Sequence, residues 1–339
     1  GEGESSQDVV FSGHAVICEN GSLLSENKRF LFENQLIYSD IDVDKIISDR
    51  QKNTSFSLEG FENYCSEYLF VDINMTEWKE ERLYRHIDRM PFVPGNGSKL
   101  FERCEDIFNI QVSGLAKRVR HTNAESLVIG ISGGLDSTLA LLAAVKTCDY
   151  LGVDRKKVLG VTMPGFGTTD RTYNNAVNLM KSLGVTMSEI SIKEASILHF
   201  NDIGHDINVR DTTYENTQAR ERTQILMDLA NKHGGLVIGT GDLSELALGW
   251  ATYNGDHMSM YGINSGVPKT LVRVLVRYVA ENGLIDDYSK SILMDILDTP
   301  VSPELLPPDD KGEINQKTED IVGPYELHDF FLYYIVRFG

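Results

Sequence analysis

The chain has 339 residues, of which 41% are hydrophobic and 24% charged, and its formal net charge at pH 7 is -18. This length predicts about two domains, and the composition is that of a globular protein rather than a disordered chain or a fibre. The acidic balance argues against non-specific nucleic-acid binding, which requires a surface that neutralises phosphates. The longest stretches without Asp, Glu, Lys or Arg have 12 residues, fewer than the ~18 of a membrane-spanning helix.

The four cysteines lack the close spacing of a zinc site or a redox pair, and no basic and apolar secretory signal opens the chain. We therefore expect a soluble, cytoplasmic protein without membrane contact. The polar start GEGESSQ, which has no initiator Met, predicts that the chain is cut from a longer polypeptide. The aromatic run His328–Phe338 close to the other end predicts a truncated C-terminus as well.

The first part of the chain, residues 11–47, has the composition of β-structure. Residues 51–97 carry no sustained periodicity and end in a cluster of Pro and Gly, so we place a linker there, after an N-terminal region of residues 1–50. The signals in the first part are the apolar segments Phe11–Cys18 and Arg29–Tyr38, the turn signal Glu19-Asn20-Gly21, and Asp40–Asp49, which predicts a last strand and a short helix.

From residue 98 to residue 339, short apolar runs alternate with helical patterns. This alternation predicts an α/β domain with a doubly wound parallel sheet. The predicted strands are 127–131, 158–163, 185–192 and 236–239, and the predicted helices are 99–118, 135–146, 170–183, 215–232 and 268–281, the last with Pro268 in its first turn. Thr169 is the predicted N-cap of the helix at 170–183.

A glycine-containing loop follows the first of these strands, with the sequence Ser132-Gly133-Gly134-Leu135-Asp136-Ser137. Two glycines allow a tight turn that leaves successive N–H groups free to hold a phosphate at a helix N-terminus. Asp136 would repel a bare phosphate, so its presence predicts a divalent cation, Mg²⁺, between the carboxylate and a pyrophosphate. The loop lacks the Gly-Lys-Ser/Thr of a P-loop. A plain strand–helix turn, with glycines needed for packing, is the alternative.

This loop resembles that of the ATP pyrophosphatase superfamily, whose members cleave ATP between the α- and β-phosphates and adenylate a substrate. The resemblance implies the adenine-nucleotide α-hydrolase type of sheet. Asparagine, GMP and NAD synthetases share a similar loop, so the loop alone does not select among them.

Further segments resemble NAD synthetases, and the match covers roughly residues 90–339. They are Glu215–Arg222, Gly239–Trp250, Tyr253–Asp256, Gly266–Lys269, Asp298–Leu305 and Lys317–Tyr325. The resemblance implies amidation of deamido-NAD to NAD, with ATP and Mg²⁺. It also implies a homo-oligomer with a dimeric synthetase core.

The resemblance assigns a role to each matching residue. Asp136, Asp256 and Lys269 are implied to be catalytic, and Asp136 and Glu245 to bind the metal. The residues implied to bind ATP are Ser132, Gly133, Gly134, Asp136, Ser137, Thr240, Lys269 and Ser302, and those implied to bind deamido-NAD are Asn216, Arg220, Arg222, Glu245, Trp250 and His257.

Several of these residues have ordinary structural interpretations when taken singly. Arg220 and Arg222 are typical of a solvent-facing helix with charge pairs, and Trp250 of a core position. Asp256 follows Asn254-Gly255 and suits a turn, and a lone His257 is more often structural than a ligand. The loop 163–169 either covers the adenine or merely leads into the next helix.

The glutamine-dependent branch of the family is the more similar one. Residues 8–50 resemble the last strands of its nitrilase-type glutaminase domain, whose catalytic Glu, Lys and Cys are not found in this sequence. We therefore expect ammonia, and not glutamine, to be the nitrogen source for residues 1–339. Two alternatives stay open: another adenylating amidotransferase or tRNA-modifying ligase of the GMP or asparagine synthetase type, and a non-catalytic nucleotide-binding module.

Overall fold

A computed structural model describes residues 10–55, 69, 71, 82–95, 98–299 and 318–338. The chain divides into two compact units, one of residues 1–89 and 334–339 and the other of residues 90–333. Within the described ranges, no helix combines the length and the apolarity that crossing a lipid bilayer requires.

The smaller unit contains a two-stranded antiparallel hairpin, β1 (Val16–Glu19) and β2 (Ser22–Glu26), and a helix, α1 (Val43–Lys52). The turn predicted at Glu19–Gly21 is confirmed: Asn20 and Gly21 have φ values of 45° and 78°, as a two-residue hairpin turn of type I′ requires. The expectation of further β-structure at Arg29–Tyr38 is wrong, since no strand forms there. A strand needs a hydrogen-bonded neighbour, which apolar composition alone does not supply.

The larger unit is built on a five-stranded parallel sheet with the order β5-β4-β3-β6-β7. The chain order reverses between β3 and β6, and ligands of open α/β sheets bind beside the carboxyl ends of the strands at such a point. Leu127 of β3 lies opposite Val158 on one side and Leu236 on the other. The strands are β3 (Leu127–Gly130), β4 (Val158–Thr162), β5 (Thr186–Glu189), β6 (Leu236–Gly239) and β7 (Tyr261–Gly262).

Ten helices follow α1 in the described part of the chain. They are α2 (Ser98–Thr122), α3 (Leu135–Leu151), α4 (Asp170–Leu183), α5 (Lys193–Asp202), α6 (Thr212–Lys232), α7 (Leu243–Leu248), α8 (Lys269–Glu281), α9 (Asp287–Leu297), α10 (Thr318–Val322) and α11 (Tyr325–Phe338). The predicted bounds of α4 and β6 are confirmed, and the side chain of Thr169 caps α4 as predicted by accepting from the N–H of Thr172. The sequence analysis did not predict α5, α7, α9, α10, α11 or the two-residue β7.

Both faces of the sheet are covered, which confirms the doubly wound α/β prediction. Ile129 of β3 packs in one core with residues of α2, α3, α8 and α9, including Leu115, Leu139 and Leu275. Val128, its neighbour in the strand, packs on the other face in a second core, against which residues of α6 lie. Successive side chains of a strand point to opposite faces, so the apolar run of β3 serves both cores.

Candidate active site

The loop between β3 and α3 has the backbone that its glycines predict. Gly133 has a φ of +90°, and a Cβ there would lie 2.2 Å from the carbonyl oxygen of Thr172, so no other residue fits without a shift of the backbone. Gly134 is the N-cap residue of α3, and within the described structure no side chain caps this helix. Ser132 Oγ accepts from the N–H of Gly134 at 3.2 Å and lies 3.1 Å from Ser137 Oγ. Since no side chain caps α3 in the described structure, the first amides of the helix are available to an anion.

A cavity of about 650 Å³ lies beside this loop, among residues that end or follow β3, β4 and β6. Such a volume is in the range of small-molecule sites. The predicted site residues that line the cavity are Ser132, Asp136, Ser137, Asn216, Arg222, Thr240, Glu245, Trp250, Asp256 and His257. Gly133, Gly134, Arg220 and Lys269 are not among the lining residues, and Ser302 lies outside the described residues.

Lys269 lies next to the cavity in a cluster of three carboxylates. Its Nζ is 2.7 Å from Asp136 Oδ2, 2.8 Å from Asp242 Oδ2 and 2.8 Å from Glu245 Oε1. The lysine is 5% exposed, so the ammonium is compensated by neighbouring anions rather than by water. The sequence analysis expected the ammonium of Lys269 to contact a phosphate of ATP. In this structure the ammonium contacts the three carboxylates instead. Asp242 was not predicted to belong to the site.

Two carboxylates of the cluster, Glu245 and Asp242, hold their protons more tightly than usual. Burial raises the pKa of Glu245 to about 8, and the charge of Asp136 adds to this effect. Burial likewise raises the pKa of Asp242 to about 6, although Lys269 opposes the shift. The pKa of Lys269 is raised well above its usual value; burial alone would lower it, but the charges of Asp136, Glu245 and Asp242 outweigh that effect.

These residues fit a divalent cation of the Mg²⁺ type. Asp136, Asp242 and Glu245 each offer a carboxylate oxygen, and the three oxygens lie within 4.8 Å of one another. Oxygen ligands are those that Mg²⁺ prefers. Asp136 Oδ1 is buried and has no hydrogen-bond partner in the described structure, so it is free to act as a ligand. Asp136 and Glu245 line the cavity, whereas Asp242 is completely buried and does not line it.

Asn264 connects the two loops that flank the point where the strand order reverses. Its Nδ2 donates to the carbonyl oxygens of Asp136 at 2.9 Å and Thr240 at 3.0 Å, and its Oδ1 accepts from Gln111 Nε2 at 3.0 Å. Asn264 is fully buried. The sequence analysis missed it because the Asn lies in a Gly- and Ser-containing segment that is typical of an ordinary turn.

The segment after α7 contacts the start of α6 beside the cavity. Asp256 Oδ1 accepts from the N–H of Thr252 at 2.7 Å, and Thr252 Oγ1 donates to Asn216 Oδ1 at 2.8 Å. The Nδ1–H of His257 donates to the carbonyl oxygen of Thr252 at 2.7 Å. Burial of the carboxylate raises the pKa of Asp256. The loss of solvation outweighs the hydrogen bonds that would lower the pKa, even though the residue as a whole is exposed. Thr252 thus holds three predicted site residues together.

The two arginines of α6 have different surroundings. Arg222 Nε donates to the carbonyl oxygen of Met163 at 3.2 Å, and Gln218 Oε1, on the same helix, accepts from the N–H of Phe166 at 3.1 Å. Helix α6 therefore holds the loop after β4. Arg220 is exposed and donates to the carbonyl oxygen of Tyr253 at 3.1 Å. Tyr253 lines the cavity and Arg220 does not, so the predicted role of Arg220 in substrate binding stays a prediction.

Solved structures of known proteins resemble this fold. An NMN synthetase from Francisella tularensis superposes with a TM-score of 0.56 and 25% sequence identity, covering 68% of this chain and 85% of that one. A glutamine-dependent NAD+ synthetase from Acinetobacter baumannii, solved in complex with adenosine diphosphate, gives a TM-score of 0.51 and 28% identity, covering 58% of this chain and 37% of that one.

Sequence comparison gives the same result over a greater length. A glutamine-dependent NAD(+) synthetase from Mycobacterium leprae is 42% identical over 351 residues, which cover 100% of this chain and 51% of that protein. The chain thus spans about half the length of the curated relatives it matches. The profile of the family described as NAD synthase matches residues 107–336. With its parallel sheet, its glycine loop and this match, the chain belongs to the NAD synthase family.

Proposed function

We propose that the protein amidates deamido-NAD to NAD at the expense of ATP, through an adenylated nicotinate. One observation carries the proposal: a single cavity brings together the loop at Ser132–Ser137, the carboxylates of Asp136 and Glu245, and Thr240 after β6. An anion-binding helix terminus beside two carboxylates suits a metal-bound polyphosphate better than a neutral ligand.

The chemistry explains why ATP is needed. The nicotinate carboxylate resists attack by an amine because it is an anion and would have to expel oxide. Its oxygen attacks the α-phosphorus of ATP, and pyrophosphate leaves. Ammonia then attacks the carbonyl carbon of the resulting anhydride, AMP leaves with the electron pair of the broken C–O bond, and the nitrogen loses one proton, which leaves the NH2 group of the amide. Holding the reactants side by side supplies much of the lowering of the barrier.

The residues around ATP have distinct roles in this proposal. The amides of Gly133 and Gly134 and the hydroxyls of Ser132 and Ser137 hold the pyrophosphate as it leaves, the Gly134 amide giving up its bond to Ser132 Oγ. Asp136 and Glu245 hold Mg²⁺, which when bound neutralises the negative charge on the phosphates. The ATP contacts are completed by Thr240, Lys269 and, outside the described residues, Ser302.

Other residues in and beside the cavity bind deamido-NAD. Trp250 lines the cavity with an aromatic ring on which a pyridine can stack. Asp256 accepts a proton from the attacking amine, a role that its raised pKa favours because the group then titrates closer to neutral pH. The remaining substrate contacts come from Asn216, Arg220, Arg222, Glu245 and His257.

The organisation of the longer protein completes the proposal. Residues 98–339 form the synthetase domain, residues 51–97 a linker and residues 1–50 the end of a glutaminase domain that supplies ammonia from glutamine. We infer a cytoplasmic homo-oligomer with a dimeric synthetase core. Neither nucleic acid nor a membrane takes part in the reaction.

The test is an assay of AMP, pyrophosphate and amide product with Mg-ATP, ammonium and one acceptor at a time. We expect product from deamido-NAD, and no AMP from aspartate or XMP. The assay should also include nicotinate mononucleotide as an acceptor, because one protein of similar fold is an NMN synthetase. AMP formation with aspartate or XMP, and none with deamido-NAD, would refute the proposal, and nucleotide binding without turnover of any acceptor would favour a binding module.

A further inference from the structure

Two residues of α11 contact Lys269 or the first turn of its helix. Tyr325 and Asp329 are four positions apart, so they share one face of α11. Each is only 2% exposed. Neither lines the cavity, and the sequence analysis assigned neither of them a role.

Asp329 caps α8 from a different helix. Its Oδ2 accepts from the N–H of Thr270 at 2.9 Å and from Thr270 Oγ1 at 2.7 Å, while its Oδ1 accepts from the hydroxyl of Ser244. The same hydroxyl oxygen accepts from the N–H of Lys269 at 2.9 Å. The N-cap residue Pro268 has no side-chain acceptor, so Asp329 and Ser244 satisfy the amides that a helix leaves free at its start.

Tyr325 lies against the other end of the lysine. The Nζ of Lys269 is 5.3 Å from the centre of the Tyr325 ring, within the range of a cation–π interaction. The hydroxyl of Tyr325 is buried and has no hydrogen-bond partner in the part of the chain that the structure describes. The ring, and not the hydroxyl, is therefore the part of Tyr325 that acts on Lys269.

We propose that Tyr325 and Asp329 are positioning residues that hold Lys269 beside the cavity, Asp329 through the backbone of α8 and Tyr325 through the ammonium. A lysine side chain has many rotamers, and fixing it in advance reduces the entropy lost when it contacts a phosphate. The role of Lys269 in ATP binding rests on the function proposed above. The placement of the side chain does not, and it is testable without any ligand.

The first experiment measures thermal unfolding of the ligand-free protein in a double-mutant cycle. We expect Tyr325→Leu to lower the melting temperature by about 3–6 °C. In a protein that already carries Lys269→Met, the same change is expected to cost less than half as much, because its partner is gone. Equal losses in the two backgrounds would overturn the proposal, since Tyr325 would then act independently of Lys269.

The second experiment measures the Kd of Mg-ATP and of deamido-NAD by calorimetry. Asp329→Asn and Tyr325→Leu should each raise the Kd of Mg-ATP about tenfold, while the Kd of deamido-NAD changes less than about twofold. Tyr325→Phe keeps the ring and should restore the affinity for Mg-ATP. Glu326→Gln is the control, because it removes a carboxylate from an exposed position of the same helix.

The outcomes distinguish the positioning role of Tyr325 and Asp329 from a purely structural role and from a failure of the proposed function. If both variants merely destabilise the fold, the number of binding sites falls for both ligands and each Kd stays constant, which would overturn the proposal. If the wild-type protein binds no Mg-ATP, the proposed function fails, and the unfolding cycle still decides whether Tyr325 acts through Lys269.

Discussion

The Nζ of Lys269 lies 2.7 Å from Oδ2 of Asp136, a residue 133 positions away in the sequence. The carboxylate predicted to face a metal is thus already paired with a buried cation. Two further carboxylates share the same ammonium, so the cluster contains more acidic groups than basic ones. Because burial makes excess charge costly, this is a place where additional positive charge is favourable.

Asp136→Asn tests the central carboxylate. The substitution keeps the shape of the side chain and removes its charge, so we expect kcat for pyrophosphate release to fall at least about 100-fold. Asp149→Asn is the matched control, since Asp149 is on the same helix and pairs with Arg155 at the surface. The control should retain activity within about twofold. Comparable turnover by the two variants would contradict the assignment.

Gly133→Ala tests the backbone of the loop Ser132–Ser137. A Cβ at Gly133 would meet the carbonyl oxygen of Thr172 at 2.2 Å in addition to the strain of a φ of +90°. We expect a loss of about 2–4 kcal/mol in the free energy of unfolding and little remaining affinity for Mg-ATP.

Gly152→Ala is the control for that variant. Gly152 also has a positive φ, +67°, but a Cβ there would meet nothing within 4 Å. We expect a loss of only about 1 kcal/mol and normal Mg-ATP affinity. Urea unfolding and calorimetry measure both quantities, and equal losses of affinity in the two variants would show that strain alone explains the effect.

Asn264→Leu tests the connection between the two loops. The change leaves the carbonyl oxygens of Asp136 and Thr240 without the donor that Asn264 supplies. We expect a loss of about 2–4 kcal/mol in the free energy of unfolding, because both acceptors lose a buried partner, and a lower kcat. Asn282→Ala, which removes a hydrogen bond to Tyr278 at the exposed end of α8, should cost less than about 1 kcal/mol and leave kcat unchanged.

The raised pKa of Glu245 predicts how stability depends on pH. The folded protein binds this proton up to a pH of about 8, whereas the unfolded chain releases it near the ordinary value of 4.5. The free energy of unfolding therefore falls as the pH rises through that window. Asp242, with a pKa of about 6 against an ordinary 3.8, adds to the loss in the lower part of the window.

Urea unfolding at pH 5 and pH 8, in the presence of a chelator, measures this effect. We expect the wild-type protein to lose on the order of 1–3 kcal/mol between the two conditions. Glu245→Gln should show a smaller loss because it removes one titrating group. Stability that rises with pH, or an identical loss in the variant, would mean that Glu245 keeps an ordinary pKa.

Much of this protein follows from local sequence. Four of the five strands of the sheet are marked by apolar runs and the α4 cap by Thr169, and those predictions are confirmed. The backbone of the loop Ser132–Ser137 is also determined locally, by two adjacent glycines and by its position between a strand and a helix. The resemblance to NAD synthetases, which rests on short segments, is confirmed by the family match.

Other features depend on contacts between distant parts of the chain. Asp242, Asn264 and Asp329 look in the sequence like ordinary cap, turn and helix residues. Their roles arise from partners far away, such as Thr270, which is 59 residues from Asp329. The segment Arg29–Tyr38 shows the converse, since its apolar composition did not produce a strand.

The sequence by itself determined four of the five strands, most of the long helices, the α/β class and the loop that suits a phosphate, because these depend on neighbours a few positions apart. The tertiary structure alone decided that Lys269 lies among three carboxylates, and that Tyr325 and Asp329 of α11 contact the lysine and the first turn of its helix. The physical reason is burial: the charge of a group is in the sequence, but its pKa and its partners depend on which distant residues folding places around it.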